Sequence, residues 1–373
     1  MNTKIVIIEN NIIAVNSIRE KLIRTLMEKG YDVTVLTSGN TEQMRFAREK
    51  GFNVVDVGGS TQNPLHILIY LFNLHRAMAQ CGADICLTFT VRPAIWGNIV
   101  TRALKIPTVT NITGIGPLFE RNDIAYRGAR TLYKFALRKT ARIFFQNHDD
   151  MDIFIEKGFI DPGMAERIPG SGIDHGYYLP RERGDRKGKF NFIFISRLVK
   201  DKGIREYIDS ARMLKAQLPD VAFNVLGPVW KQNLKSNTIS RAEIEEWVEE
   251  GTINYFGESG DVREHIAGSD CVVLPSYREG LSNILLEASS MGRPCITGNV
   301  TGCKEVVEDG ITGYLCRVRD ADDLAGKMKM MYNLSEEKRV QMGKNAREKV
   351  VREFDKKIVI DAYLKTIERI TNG

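Results

Sequence analysis

Short apolar runs alternate along this chain with longer segments in which apolar residues recur every three or four positions. Runs at 4–8, 31–36, 53–57, 84–89, 107–111 and 143–147 each read as a buried strand. Amphipathic stretches follow the first five, to Gly30 and at 41–50, 64–80, 93–104 and 121–142, and Asn147-His148-Asp149-Asp150 starts the next; all read as helices. After a polar interval at 175–189 the alternation resumes. Strands are expected at 190–195, 222–227, 253–257, 271–274, 295–297 and 313–315. Helices are expected from Ile204, at 240–250, after the Pro275–Ser282 loop through about Met291, at 320–333, and from Asp355 to Ile370. Strands alternating with helices imply parallel sheets covered on both faces. The polar interval, rich in Arg, Lys and Gly, reads as an exposed linker between two Rossmann-like domains, 1–178 and 190–354.

Composition narrows this picture. The chain has 373 residues, which suits two cores rather than one. Hydrophobic residues make up 43 % and charged residues 27 %, values of a globular protein. Six cysteines at 81, 86, 271, 295, 303 and 316 form no CxxC and sit in or beside apolar runs, which points to reduced thiols and a cytoplasmic setting. Met1-Asn2-Thr3-Lys4-Ile5 opens directly into a strand and reads as no signal peptide. No run of 18 apolar residues exists, so no spanning helix is expected.

The net charge of +6 gains meaning only from its distribution. Residues 121–142 carry Arg121, Arg127, Arg130, Lys134, Arg138, Lys139 and Arg142 among apolar side chains. Such a helix suits either a solvated face or a peripheral contact with the anionic inner face of a membrane. Leu65–Phe72 is too short to span a bilayer and fits core or interface. No nucleic-acid reading motif joins the basic residues.

The stretch with the most chemistry is Pro275-Ser276-Tyr277-Arg278-Glu279-Gly280-Leu281-Ser282-Asn283-Ile284-Leu285-Leu286-Glu287-Ala288. It runs strand, loop, helix, stopped by Gly292 and Pro294, with Ser282 or Asn283 placed to cap the helix. Ligands of open α/β sheets bind at such edges, and a helix amino end favours phosphate. Glu279 and Glu287 frame the turn eight residues apart. Glu287 lies in an apolar helix and needs a partner if buried, which paired sugar hydroxyls would supply. The plainer alternative, two solvated surface acids, sits poorly with the preceding strand, the Gly280 turn and the Gly292-x-Pro294 stop. Arg197 and Lys202 leave the end of another strand in Ser196-Arg197-Leu198-Val199-Lys200-Asp201-Lys202-Gly203. Gly227 and the Phe256-Gly257-Glu258 turn end strands on the same edge, where backbone groups could meet a ligand. In the first half, Asn10 and Asn11 form the turn after strand one. They read equally as ligand contacts and as turn residues tolerant of positive φ. Thr113 and Gly114 open a glycine-containing loop after 107–111, a candidate for ligand contact. There is no His/Cys cluster with metal spacing.

Pro275-Ser276-x-x-Glu279-Gly280, Glu287-Ala288, Met291-Gly292-x-Pro294, Gly302-x-x-Glu305, Gly310-x-x-Gly313-Tyr314-Leu315 and Ser196-Arg197-Leu198 with Lys202-Gly203 together resemble a family 4 retaining glycosyltransferase. Within that family the look is closest to enzymes of bacterial surface polysaccharides. The likeness is dense over 190–320 and looser before it. It implies the GT-B architecture, two Rossmann-like domains facing across a cleft, with the helix at 355–373 packing back on the first. It also implies a nucleotide-sugar donor, UDP-linked on family frequency, and a glycan or polyprenyl-diphosphate-linked acceptor. By the same resemblance Glu287 accepts the ribose hydroxyls, and the Gly280, Leu281 and Ser282 amides hold the diphosphate. Arg197 and Lys202 neutralise the leaving phosphate, Glu279 lies by the transferred sugar, Gly227 and Glu258 border the nucleobase, Asn10 or Asn11 contacts acceptor or donor, the Thr113-Gly114 loop meets sugar or acceptor, and no metal is required. Two departures stand out: the turn after strand one has no glycine, and Thr113 stands where relatives carry a histidine. A sugar-nucleotide epimerase or hydrolase of the same fold is the main alternative, and a non-catalytic binder of sugar nucleotides is the other.

Overall fold

A computed structural model describes residues 2–58, 64–119, 124–182, 189–229 and 237–372. Arg121 of the basic stretch and positions 183–188 of the polar interval lie outside these residues. The elements run, in order, β1 (Lys4–Ile8), α1 (Ile12–Asn16), α2 (Glu20–Glu28), β2 (Asp32–Thr37), α3 (Thr41–Glu49), β3 (Asn53–Asp56), α4 (Pro64–Cys81), β4 (Ile85–Phe89), α5 (Val91–Ala103), β5 (Thr108–Ile112), α6 (Ile124–Leu137), β6 (Arg142–Phe145), α7 (His148–Glu156) and β7 (Ala165–Arg167). They continue as β8 (Phe190–Ile195), α8 (Ile204–Lys215), β9 (Val221–Leu226), α9 (Arg241–Glu249), β10 (Asn254–Tyr255), α10 (Arg263–Ala267), β11 (Cys271–Leu274), α11 (Asn283–Ser290), β12 (Cys295–Gly298), β13 (Gly313–Cys316), α12 (Ala321–Asn333), α13 (Glu336–Glu353) and α14 (Lys356–Asn372).

The chain divides into two compact units: Met1–Ser171 with Lys357–Gly373, and Gly172–Lys356. The first holds a parallel sheet in the order β3-β2-β1-β4-β5-β6-β7. Ile5 pairs with Val33 on one side and with Ile85 on the other, so β1 is central and buried on both faces. Side chains of α1, α2, α3 and α14 fill one face of this sheet. Those of α4, α5, α6 and α7 fill the other. The second unit holds a parallel sheet in the order β10-β9-β8-β11-β12-β13 over one continuous core. Two parallel-sheet α/β units are the expected fold class.

Three local features differ from the sequence expectation. The helix expected to run to Gly30 is broken into α1 and α2, and the break turns Arg19 inward to a buried ion pair with Glu9. The short strand β7 extends the first sheet beyond β6. The helix α13 was not expected; it is highly charged and buries only Met342, Gly343, Ala346 and Val350, too narrow a stripe to announce itself. Cys86, Cys271, Cys295, Cys303 and Cys316 are buried free thiols, and Cys81 is partly buried.

Candidate functional site

In each sheet the strand order reverses once, between β1 and β4 in the first unit and between β8 and β11 in the second. Helices on either side of such a point diverge and leave a crevice beyond the strand ends, where ligands of open α/β sheets bind. The sequence-predicted residues collect at these two edges.

In the second unit, Ser196 and the exposed Arg197 follow β8, then the chain makes a 3₁₀ turn over Lys200–Lys202. Gly203 leaves that turn at φ +74, and a Cβ there would lie 2.2 Å from the Pro275 carbonyl oxygen. Only glycine permits this approach, and it brings Lys202 against the loop after β11. Tyr277 N–H donates to the Asp201 carbonyl at 2.9 Å and fastens the two loops together. The Lys202 ammonium pairs with Glu279 Oε1, which also accepts from Ser276 Oγ at 2.7 Å. Both charged side chains are largely shielded, 15 % and 14 % exposed.

The loop after β12 supports this turn. Glu279 N–H donates to the Thr301 carbonyl at 3.1 Å, and Ser282 N–H to that of Gly302 at 3.0 Å. Gly302 sits at φ +80, where a Cβ would meet Glu279 O at 2.5 Å, and its N–H donates to Glu305 Oε2 at 2.7 Å. The Gly302-x-x-Glu305 spacing thus builds the wall of the Glu279 turn. Ser282 occupies the N-cap position of α11, but neither it nor Asn283 supplies the expected side-chain cap. Of the three amides expected to meet phosphate, that of Ser282 is engaged by Gly302 in this structure.

Glu287 lies in the second turn of α11, partly buried, and accepts a hydrogen bond from Tyr178 OH at 3.0 Å. Burial pushes its carboxyl up to about 7, while the Tyr178 bond and the Lys356 charge pull the other way. The Tyr178 carbonyl is clamped by Ser290 Oγ at 2.8 Å and by Arg347 Nη1 at 3.3 Å. Asp174 Oδ1 accepts from the amides of Gly176 and Tyr177, both at 3.2 Å, and turns the chain into this position. Sequence reasoning did not find Tyr178; the signal was an aromatic pair directly after the Asp174 turn. Glu258 is exposed beyond β10. The Gly227 N–H donates to Gly257 O at 2.7 Å and its carbonyl accepts from Tyr255 OH at 2.9 Å, so its backbone groups already serve the packing.

In the first unit, Asn11 caps α1, its Oδ1 accepting from Ala14 N–H at 3.0 Å. Its φ of −149 is extended, so the tolerance of positive φ is not what selects asparagine there. Asn10 N–H donates to Glu9 Oε1 at 2.7 Å, and Glu9 Oε2 accepts from Arg19 Nε at 2.9 Å. This buried ion pair shapes the turn in place of a glycine. Across the strand reversal, Arg92 Nη1 donates to Asn10 Oδ1 at 3.3 Å, and the guanidinium lies over the Tyr70 ring at 4.8 Å. Arg92 is half-buried, and its Nε and Nη2 find no acceptor among the described residues. Just before it, Thr90 adopts φ +70, costly backbone for a β-branched residue. Strain of that kind concentrates where geometry serves a ligand. Thr113 and Gly114 follow β5 on the same edge, both partly exposed. Arg92 and Thr90 were not singled out from sequence. Among the described residues no group of three His, Cys, Asp or Glu side chains is placed to hold a metal ion.

Known proteins resemble this chain in sequence and fold. Residues 179–349 match the family described as glycosyl transferases group 1, and residues 15–170 match the glycosyl transferase 4-like domain. The chain is 24 % identical over 372 residues, 94 % of its length and 95 % of the relative's, to the N,N'-diacetylbacillosaminyl-diphospho-undecaprenol alpha-1,3-N-acetylgalactosaminyltransferase of Campylobacter jejuni. It is 27 % identical over 302 residues, 76 % of its length and 75 % of the relative's, to the UDP-Gal:alpha-D-GlcNAc-diphosphoundecaprenol alpha-1,3-galactosyltransferase of Escherichia coli. Among solved structures, Anabaena Alr3699/HepE in complex with UDP and glucose superposes with a TM-score of 0.81 at 17 % identity, over 99 % of this chain and all of that one.

Proposed function

We propose that this chain, whose residues 179–349 and 15–170 match two glycosyl transferase families, moves a sugar from a UDP-sugar to a lipid-diphosphate-linked acceptor in surface-polysaccharide synthesis, retaining anomeric configuration. The two relatives named above carry diphospho-undecaprenol acceptors in their descriptions, and one names UDP-Gal. The observation that carries the reading is the shielded Lys202–Glu279 pair at the strand reversal, beside the amino end of α11.

A bound diphosphate replaces Glu279 as the counter-charge of Lys202, and Glu279 turns to hydroxyls of the sugar. The Gly280–Leu281 turn and the α11 dipole hold the phosphates, with the Ser282 amide ordering the turn through Gly302. Glu287 accepts from the ribose hydroxyls, and Gly227 and Glu258 border the base. The acceptor hydroxyl oxygen bonds to the sugar C1 on the face that the diphosphate leaves. The C1–O bond breaks with its electron pair on the leaving oxygen, and the acceptor proton passes to a phosphate oxygen. Arg197 and Lys202 stabilise the charge that grows there, so no metal is called for. Asn10, Asn11, Thr113 and Gly114 meet the acceptor. In this reading Arg127, Arg130 and Lys134 of the basic stretch meet anionic lipid, with the enzyme at the cytoplasmic face of a membrane.

The test is nucleotide release from UDP-, GDP- and ADP-sugars with and without a polyprenyl-diphosphate-linked glycan, with NMR of the product. The expected result is UDP release only with acceptor and an unchanged anomeric configuration. Release without acceptor, or a new isomer of the donor sugar, would favour the epimerase or hydrolase reading.

A further inference from the structure

Arg92 combines three features that cost stability in the free protein. It is half-buried, and no Asp or Glu among the described residues pairs with its guanidinium. It stands in the first turn of α5, where the helix dipole disfavours a cation and no acid offsets it. Its Nε and Nη2 are buried without an acceptor among the described residues. Buried guanidiniums elsewhere in the chain have partners. Arg19 faces Glu9, and Arg293 donates to the carbonyls of Arg181 and Ala267, both at 2.9 Å. Two residues before Arg92, Thr90 Oγ1 is also buried without a partner, on backbone at φ +70.

The contacts that Arg92 does make narrow what completes it. Nη1 donates to Asn10 Oδ1 at 3.3 Å, and the Tyr70 ring covers one face of the guanidinium at 4.8 Å. Tyr70 is itself buried with Leu74 and Met78 in the core of the first unit, so it fixes the plane of the group above it. The two nitrogens left over, Nε and Nη2, are neighbours on one edge of that plane. Two parallel N–H bonds from this edge match two oxygens of one phosphate or carboxylate. A lone neutral hydroxyl matches neither the charge nor the spacing. The missing group is therefore an oxyanion, held beside Asn10 at the strand reversal between β1 and β4.

We infer that Arg92 recognises a phosphate of the acceptor's diphosphate through Nε and Nη2, and so selects acceptors by their linkage rather than by their sugar alone. The inference rests on the lipid-diphosphate-linked acceptor proposed above, and names the residue that reads the diphosphate. An acidic sugar in the acceptor would offer the same oxyanion chemistry, and the acceptors of the test separate the two sources.

The experiment uses the whole chain, the donor that the release screen identifies, and one neutral glycan carried on polyprenyl diphosphate or on a phosphate-free alkyl chain. A third acceptor is an alkyl glycoside that bears a uronic acid. A second measurement needs no turnover: calorimetric binding of farnesyl diphosphate with UDP at saturation, which fills the crevice at Lys202. The expected result is that Arg92→Gln raises the KM of the diphosphate acceptor about tenfold or more at unchanged kcat, and weakens farnesyl diphosphate as much. The KM of the neutral alkyl glycoside, already high, should stay at its parental value. Arg92→Lys keeps the charge without the fork and should recover only part of the loss. Both variants should melt at or above the parental temperature, because each removes buried donors that lack acceptors; if Arg92→Gln fails to fold, Arg92→Lys decides. Equal KM increases on the diphosphate and neutral acceptors would overturn the inference, as would farnesyl diphosphate binding that Arg92→Gln leaves at the parental level. A KM effect confined to the uronic acid would overturn it in favour of a carboxylate. Loss of farnesyl diphosphate binding in Arg92→Gln, with no transfer by any protein, would count against the proposed reaction alone.

Discussion

The two strand reversals solve the same problem with opposite chemistry. In the second unit the crevice between β8 and β11 is bridged by an acid–base pair, Lys202 with Glu279, and two glycines allow the loops around it to touch backbone to backbone. In the first unit the crevice between β1 and β4 is bridged by a cation and a neutral amide, Arg92 with Asn10, and the acid of that turn, Glu9, is buried below with Arg19. A cation whose counter-charge is mobile can exchange it for a phosphate at little electrostatic cost, because one anion replaces another. A cation facing an amide retains its charge for whatever arrives, and burial already presses the Arg92 guanidinium below its usual range. The difference points to turnover of charge at the second crevice and steady holding at the first.

The largest expected effect follows from the first half of that contrast. Lys202→Ala should lower kcat by about 10²–10³, the usual loss for one group that stabilises developing charge, while the melting temperature stays near parental. Single-turnover transfer measured beside calorimetry of unfolding checks this. Arg92→Ala should act on holding alone: the acceptor KM rises about tenfold, and the UDP affinity and kcat remain near parental. If instead Arg92→Ala lowered kcat as far as Lys202→Ala, the distinction between the crevices would fail.

A smaller effect concerns Glu287. Its carboxyl titrates near 7 because burial disfavours the carboxylate, so between about 4.5 and 7 the folded chain holds a proton that the unfolded chain has lost. Folding stability from this group is therefore greatest at low pH and declines as pH rises through that window. On the role proposed for Glu287, nucleotide binding runs the other way, since ribose hydroxyls donate best to the carboxylate. The UDP affinity should rise with pH up to about 7 and level off above it, by at most about tenfold per pH unit, and Glu287→Gln should flatten the profile. Tyr178→Phe removes a hydrogen bond that favours the carboxylate, so the midpoint should move upward with only a few-fold loss of affinity at pH 8. Calorimetric titration of UDP across pH distinguishes these outcomes. An unmoved midpoint in Tyr178→Phe would leave that tyrosine a packing role only.

Much of this organisation is legible in the sequence. Buried parallel strands are nearly continuous apolar runs, so β1, β8 and β11 announce themselves, and Lys202-Gly203 and Glu279-Gly280 mark turns by local glycine. What escaped depends on distance along the chain. Tyr178 meets Glu287 across 109 residues and Arg92 meets Asn10 across 82, and no local pattern encodes either pairing. Thr90 is invisible for another reason: its strain lies in a backbone angle that its residue type would argue against. The Leu65–Phe72 run of α4 was ambiguous because a helix with two apolar sides has no single preferred face, and only the packed sheet shows which side is inside.

One consequence of the chain path concerns its synthesis. The helix α14, which follows the second unit along the chain, supplies Val359, Ile360, Tyr363 and Ile367 to the core of the first, and Tyr363 OH accepts from Asn111 Nδ2 at 2.7 Å. A nascent chain leaving the ribosome therefore carries its first unit with one sheet face incompletely covered until α14 emerges. The intervening half has all its own strands by then and can settle first, so the order of maturation runs against the order of translation.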